Sequence, residues 1–138
     1  MSEGPAHSFE EHTGEVLLKV TSPTLTKLFE EAGRALAELM AEQWTDDPAA
    51  PTEPVVVRAP DRDALLVEWL NELVFRSETG EKVYPYLAVT ALSDCELQAK
   101  IRGALPSPPR TAVKAATYHR LQIAQRPEGY TATIVLDV

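Results

Sequence analysis

The chain has 138 residues, 44% of them hydrophobic and 25% charged, which is the composition of an ordinary globular protein. This length predicts one domain over residues 1–138. Its 21 acidic and 13 basic residues give a formal charge of −8, which argues against strong nucleic-acid binding, because such binding requires a basic surface facing the phosphates.

The first residues, MSEGPAHSFEEH, contain neither the basic region nor the apolar run of a signal peptide. No apolar stretch approaches the ~18 residues that a membrane span needs, and the single cysteine fits a reducing compartment. We therefore expect a cytoplasmic protein whose residues 1–7 form a loose N-terminal segment.

Two strand-like segments, SFEEH and EVLLKV, follow one another across the bend Thr13-Gly14. Three acids lie around that bend: Glu10, Glu11 and Glu15.

Two amphipathic helices are predicted from apolar residues that recur at three- and four-residue steps. The first lies within residues 22–43, with Ser22 or Thr24 as its N-cap, and the proline-containing loop WTDDPAAPTEP ends it. The second begins after the N-cap Asp61, and Gly80 follows its end. Trp69, on the apolar stripe of the second helix, is expected in the core or at its margin.

The remaining strand-like segments are PVVVRA, YPYLAVTALS, CELQAKIRGA, YHRLQIAQ and YTATIVLD. The second and third of these form one predicted hairpin, and the last two form another. Their alternation of apolar and polar residues is typical of an antiparallel sheet with one wet face. The predicted fold is therefore α+β in two layers, a mostly antiparallel sheet or pair of sheets covered by two amphipathic helices.

Several single residues receive structural interpretations. Cys95 shares strand parity with Leu97 and is expected to be a small buried hydrophobe. His119 is expected to be a half-buried structural histidine, and Tyr118 to lie in or near the core. The proline-rich stretch around Pro106–Pro109 is predicted to be an extended, exposed loop.

Familiar catalytic and nucleotide-binding signatures are absent from the sequence. There is no GxxxxGK[ST], GxGxxG, EF-hand loop, CxxC or HExxH motif. What stands out is the end of the last strand, where Asp137 precedes the α-carboxylate of Val138. If this end meets the bend before Glu15, the carboxylates could bind a hard divalent cation. Otherwise they are ordinary exposed acids.

Five motifs in order resemble the archease family. They are HTGEV, LFEEAGRALAELM, DRDALLVEWLNELVF, KAATYH and the terminal VLDV, and the likeness runs from about Phe9 to Val138. The resemblance implies a cytoplasmic accessory protein that is not an enzyme. Its partner would be an RtcB-type RNA ligase of tRNA splicing and RNA repair, whose histidine guanylylation and multiple turnover it promotes.

The resemblance also implies a divalent-metal site, most often calcium, with magnesium or manganese as alternatives. By motif position its ligands would be Glu15, Asp137 and Val138, and Lys114 would be the partner-activating lysine near the acids. The family has aspartate where this chain has Glu15, so Glu10 or Glu11 could substitute as ligand.

Two other functions stay open. One is a chaperone-like adaptor for several RNA-processing proteins. The other is a small metal-dependent hydrolase that uses Glu15 and Asp137, although no nucleophile or general-base histidine is evident beside those acids.

Overall fold

A computed structural model of the chain describes residues 4–108 and 112–138. These residues form two helices and eight strands. In chain order they are β1 (Ala6–His12), β2 (Glu15–Ser22), α1 (Leu25–Met40), β3 (Trp44–Asp46), β4 (Thr52–Arg58), α2 (Arg62–Gly80), β5 (Val83–Leu92), β6 (Glu96–Pro106), β7 (Ala115–Arg126) and β8 (Gly129–Asp137).

The strands form two sheets in which every paired neighbour is antiparallel. The first sheet has the order β1-β2-β8-β7. In the second sheet β6 is central, with β3 and β4 along one side and β5 along the other. The predicted α+β class and both predicted hairpins, β5–β6 and β7–β8, are confirmed.

The core lies between the sheets and the helices and is built from the alternating positions that the sequence shows. In β2 the even-numbered residues Val16, Leu18 and Val20 are buried, while Lys19 is exposed. Trp69 is completely buried at the centre of α2, and its indole Nε1 donates a hydrogen bond to the Phe29 carbonyl of α1 at 2.9 Å. This bond satisfies the one polar atom that the buried ring carries.

The structure confirms Asp61 as the N-cap of α2 and, of the two candidates for α1, selects Thr24 rather than Ser22. The Thr24 hydroxyl accepts from the Lys27 amide at 3.2 Å, and the Asp61 carboxylate accepts from the Ala64 amide at 2.8 Å. At the other end of α2 the left-handed residue is Glu81, with φ of 52°, rather than Gly80. Neither helix combines the length and the apolarity that would be needed to cross a bilayer.

Three predictions about local structure are wrong. Ala6 and His7 are not loose, because they pair with β2 in β1, and His7 Nδ1 lies 2.6 Å from Glu31 Oε2. Short strand β3 occupies the start of the predicted loop after α1. Cys95 is exposed, since it lies in the turn before β6 and not in the strand itself.

The proline-rich loop is described only in part. Ser107 and Pro108 are exposed as predicted, but Pro106 is half-buried and ends β6, where it pairs with Trp44. Pro109 lies outside the described residues, as do the first three residues of the chain.

Candidate metal centre

The bend between β1 and β2 is a tight turn that depends on glycine. Gly14 has φ of +77°, a left-handed conformation that residues with a Cβ adopt only at a cost. The turn places Glu15 at the first position of β2. The carbonyl oxygen of Gly14 also accepts a hydrogen bond from the Val138 amide at 3.2 Å. This bond ties residue 138 to the same end of the first sheet.

The pairing of β2 with β8 brings the two predicted acidic ligands together. Glu15 is the direct partner of Asp137 in this antiparallel ladder. Directly opposed residues point to the same face, with Cβ atoms about 4.5–5.5 Å apart. Because Val16 and Leu136 face the core, Glu15 and Asp137 lie on the outer face of the sheet, away from the buried layer.

The two carboxylates have no cation beside them among the described residues. Glu15 is half-buried and Asp137 is exposed, and none of the ion pairs formed within residues 4–108 and 112–138 includes either side chain. Like charges directly opposite one another destabilise a strand pair. A bound cation would remove that repulsion, so the pair has the chemistry of a partial cation site.

Two side chains alone do not make a complete metal site. Within the described ranges no group of three or more His, Cys, Asp or Glu side chains is arranged to hold a metal ion. The Val138 carboxylate is a candidate third ligand, because the hydrogen bond from the Val138 amide to Gly14 keeps residue 138 at this end of the sheet. Calcium takes six to eight oxygens in a flexible geometry, so the donor set fits calcium when water or another molecule supplies the rest.

The other acids near the bend are placed less favourably than Glu15. Glu10 is on the same face as Glu15, but it lies opposite Leu17 rather than beside Asp137. Its carboxylate oxygens lie 3.1 Å from Lys19 Nζ and 3.2 Å from His12 Nε2. The hydrogen bond from Lys19 lowers the pKa of Glu10 below its usual value. Glu11 pairs with Val16 and therefore belongs to the opposite face. Both acids are poorly placed to replace Glu15.

Lys114 adjoins this end of the sheet through its backbone. Its amide donates to the carbonyl oxygen of Asp137 at 2.8 Å. The side chain is exposed and forms no ion pair with a described residue; it lines a cleft of about 540 Å³ together with Met40, Val83 and Val113. The structure therefore places the main chain of Lys114 beside Asp137, while its side chain also faces a separate, largely apolar cleft.

Side chains of α2 hold the outer edge of β7, a feature that the sequence analysis did not identify. The Asn71 amide oxygen accepts from the Ala116 amide at 2.7 Å, and the Asn71 amide nitrogen donates to the Ala116 carbonyl at 3.1 Å. Farther along, Asp63 accepts from the Ile123 amide at 3.1 Å. The sequence does contain a hint of this role for Asn71. Asparagine is a poor helix former, so an asparagine beside the apolar stripe of a helix indicates that its side chain bonds to something outside the helix.

Between these two attachments β7 departs from regular pairing, with a register shift between Thr117 and Gln122. The predictions for two residues in this bulge are wrong. Tyr118 is 57% exposed rather than near the core, and its hydroxyl donates to Glu68, a hydrogen bond that raises the tyrosine pKa. His119 is also exposed, because the bulge takes it out of the alternating pattern.

Comparison with known proteins agrees with the motif order. The model of the archease protein family matches residues 7–138. The chain belongs to the archease family.

Among curated archeases, the protein from Methanosarcina mazei is 29% identical, with 99% of both chains covered. The archease of Methanopyrus kandleri is 30% identical over 93% of this chain and 96% of that protein. In fold, the chain is similar to a crystal structure from Thermotoga maritima described as "an archease, possible chaperone", with a TM-score of 0.70, 18% identity and 94% of each chain covered.

It is also similar to the solution structure of a Methanobacterium thermoautotrophicum protein, with a TM-score of 0.71, 25% identity, and 96% and 98% of the two chains covered. These archease structures have the same α+β architecture.

Proposed function

We propose that this archease is a non-catalytic activator of an RtcB-type RNA ligase and acts through the acidic end of its first sheet. That acidic end is defined as Glu15, Asp137 and the Val138 carboxylate. The observation that carries the proposal is the register of β2 and β8, which sets Glu15 directly opposite Asp137. Membership of the archease family supports the choice of partner.

The acidic end would hold a divalent cation, most readily calcium. Glu15 keeps the charge of the family's aspartate but adds a methylene group and one more rotatable bond, which raises the ordering cost on binding. A flexible calcium shell accommodates that longer reach better than a magnesium octahedron does. Manganese and magnesium are therefore expected to bind more weakly here.

Each residue has a distinct role in the proposed mechanism. The carboxylates of Glu15 and Asp137 would face the mouth of the ligase's nucleotide site, and Lys114 would approach the GTP phosphates there. The bound cation would supply positive charge that offsets the phosphates. Phosphoryl transfer depends strongly on positioning and charge neutralisation, so an accessory protein can accelerate it without bonding covalently to substrate. The chain's net charge of −8 suits docking on the basic surface that an RNA ligase requires.

A chaperone-like adaptor for several RNA-processing proteins is the alternative function. The description of the Thermotoga maritima structure as a "possible chaperone" favours it. A pull-down from cells separates the two, since one ligase partner favours the activator and many RNA-processing clients favour the adaptor. A small metal-dependent hydrolase is less well supported. The expectation that no histidine lies beside these acids is wrong, because His12 is directly opposite Glu15 in the β1–β2 register; its Nε2, however, lies 3.2 Å from Glu10 Oε1.

The test is guanylylation of the cognate ligase with GTP, with and without the archease. Asp137→Ala, or extra residues added after Val138, should abolish stimulation while circular dichroism stays native. Lys114→Ala should slow guanylylation by about tenfold or more, as loss of a charge-stabilising group does at other phosphoryl-transfer sites. Glu11→Ala and Lys27→Ala are the matched controls, because both residues are exposed and lie off the proposed surface. Unchanged ligase turnover with Asp137→Ala would reject the activator mechanism.

A further inference from the structure

Among the described strands, β7 is at the outer edge of the first sheet, so half of its backbone groups have no described strand to pair with. Ala116 lies opposite Leu136 of β8, but its amide and carbonyl groups bond to Asn71 and therefore point away from β8. The Ala116 residue is only 4% exposed. Buried amide and carbonyl groups need hydrogen-bond partners, and water has little access to these.

The side chain of Asn71 satisfies both groups at once. Its amide oxygen and nitrogen reproduce the acceptor and donor that a neighbouring strand would present, at 2.7 and 3.1 Å. A carboxylate at this position could accept from the Ala116 amide but could not donate to the carbonyl. Asparagine is therefore matched to this backbone segment in a way that aspartate is not.

The Asn71 contact lies two residues from Lys114, at the start of β7. On the far side of the strand, the Lys114 amide donates to Asp137 at 2.8 Å. The segment Lys114–Ala116 is thus held from both sides, by β8 and by α2. If the contact with α2 were lost, the main chain of Lys114 would separate more readily from Asp137. The backbone of Lys114 would then no longer hold a fixed position relative to the acidic end.

We propose that Asn71 is a positioning residue: it bonds to the backbone at the start of β7 and so holds Lys114 in place beside Asp137. The importance of this role for activity rests on the function proposed above. Asn71 touches neither ligand nor partner in this role and acts through the backbone of Ala116. The matched control is Asp63, which makes a comparable bond to the Ile123 amide on the other side of the β7 bulge. Its loss should loosen β7 without moving Lys114.

Amide hydrogen exchange measured by NMR on the full chain tests the geometry. In Asn71→Ala, exchange at Ala116 and Lys114 should rise about tenfold, as expected for the loss of one or two hydrogen bonds, while Ile134 in the core of β8 reports global opening. Asn71→Asp should give an intermediate rise, since it keeps one of the two bonds. Asp63→Ala should raise exchange at Ile123 and leave Lys114 unchanged.

An unchanged Lys114 amide in Asn71→Ala, or an equal rise in Asp63→Ala, would overturn the proposal. If Asn71→Ala does not fold, exchange of the Lys114 amide in Asn71→Asp tests the proposal instead, and an unchanged rate there would overturn it.

Ligase assays test the consequence. In Asn71→Ala the guanylylation rate at saturating archease should fall toward that of Lys114→Ala, while the archease concentration for half-maximal stimulation stays the same, since the docking surface is intact. Asp63→Ala should keep the full rate.

If Asn71→Ala supports a normal guanylylation rate while Lys114→Ala supports a slow one, the proposal that Asn71 positions Lys114 is refuted. If Lys114→Ala itself has no effect, the proposed function of that lysine fails, and the exchange data still decide whether Asn71 holds the segment.

Discussion

Replacing Asp137 by asparagine should change the stability of this archease in opposite directions with and without calcium. In the metal-free protein, Asp137 directly opposes Glu15 with no described cation beside either side chain. Two unit charges about 5 Å apart in water repel by about 0.8 kcal/mol, and salt reduces this to about 0.5 kcal/mol. Asp137→Asn removes the repulsion, so the melting temperature in chelator should rise by about 2 °C for a chain of this length.

With calcium the sign reverses. A partly exposed site with three carboxylates resembles weak calcium modules with Kd of about 10⁻⁴ to 10⁻³ M. At 10 mM calcium, mass action then stabilises the wild type by about 1.4–2.7 kcal/mol, which raises the melting temperature by roughly 5–10 °C. Asp137→Asn loses one carboxylate, and its calcium-dependent shift should fall below about 2 °C.

The assay is thermal unfolding followed by circular dichroism, in chelator, in calcium and in magnesium at equal ionic strength. Glu11→Gln is the control, because it removes the same charge from the opposite face of β1 and should keep the full calcium shift. An Asp137→Asn protein with an undiminished calcium shift would refute the ligand assignment. A metal-free melting temperature below that of the wild type would refute the repulsion argument.

Two further predictions follow from residues near the site and in the core. Gly14→Ala should lower the free energy of unfolding by about 1–2 kcal/mol in urea titration, because alanine is strained at φ of +77° although no atom lies within 4 Å of its added Cβ; an unchanged midpoint would show that the turn relaxes. Burial and the hydrogen bond from Tyr84 to Glu53 raise the pKa of Tyr84 above its model-compound value of 10.0, so the unfolded chain loses this proton first and stability should fall as pH rises above about 10. Tyr84→Phe should show a shallower fall in melting temperature over that alkaline range, and equally steep curves for both proteins would contradict the shift.

Local structure followed closely from local sequence. The Thr24 and Asp61 caps were predictable because capping involves side chains within three residues of the amide they serve. The hairpins β5–β6 and β7–β8 were predictable because short polar turns separate alternating segments. The errors arose where that regularity breaks. Cys95 lies in a turn, and Tyr118 and His119 are among the four β7 residues between Thr117 and Gln122 that oppose a single residue of β8, so the alternation of faces does not continue through them.

The sequence by itself determined which segments become helices and strands, and its motif order already resembled the archease family. Tertiary structure decided which residues meet. More than a hundred residues separate Glu15 from Asp137, and only the choice of β8 as the neighbour of β2, in one register, places them opposite each other. Likewise, Asn71 is in a helix whose own pattern says nothing about Ala116. Such pairings depend on the packing of the whole core, which selects one strand register among many that the local pattern would allow.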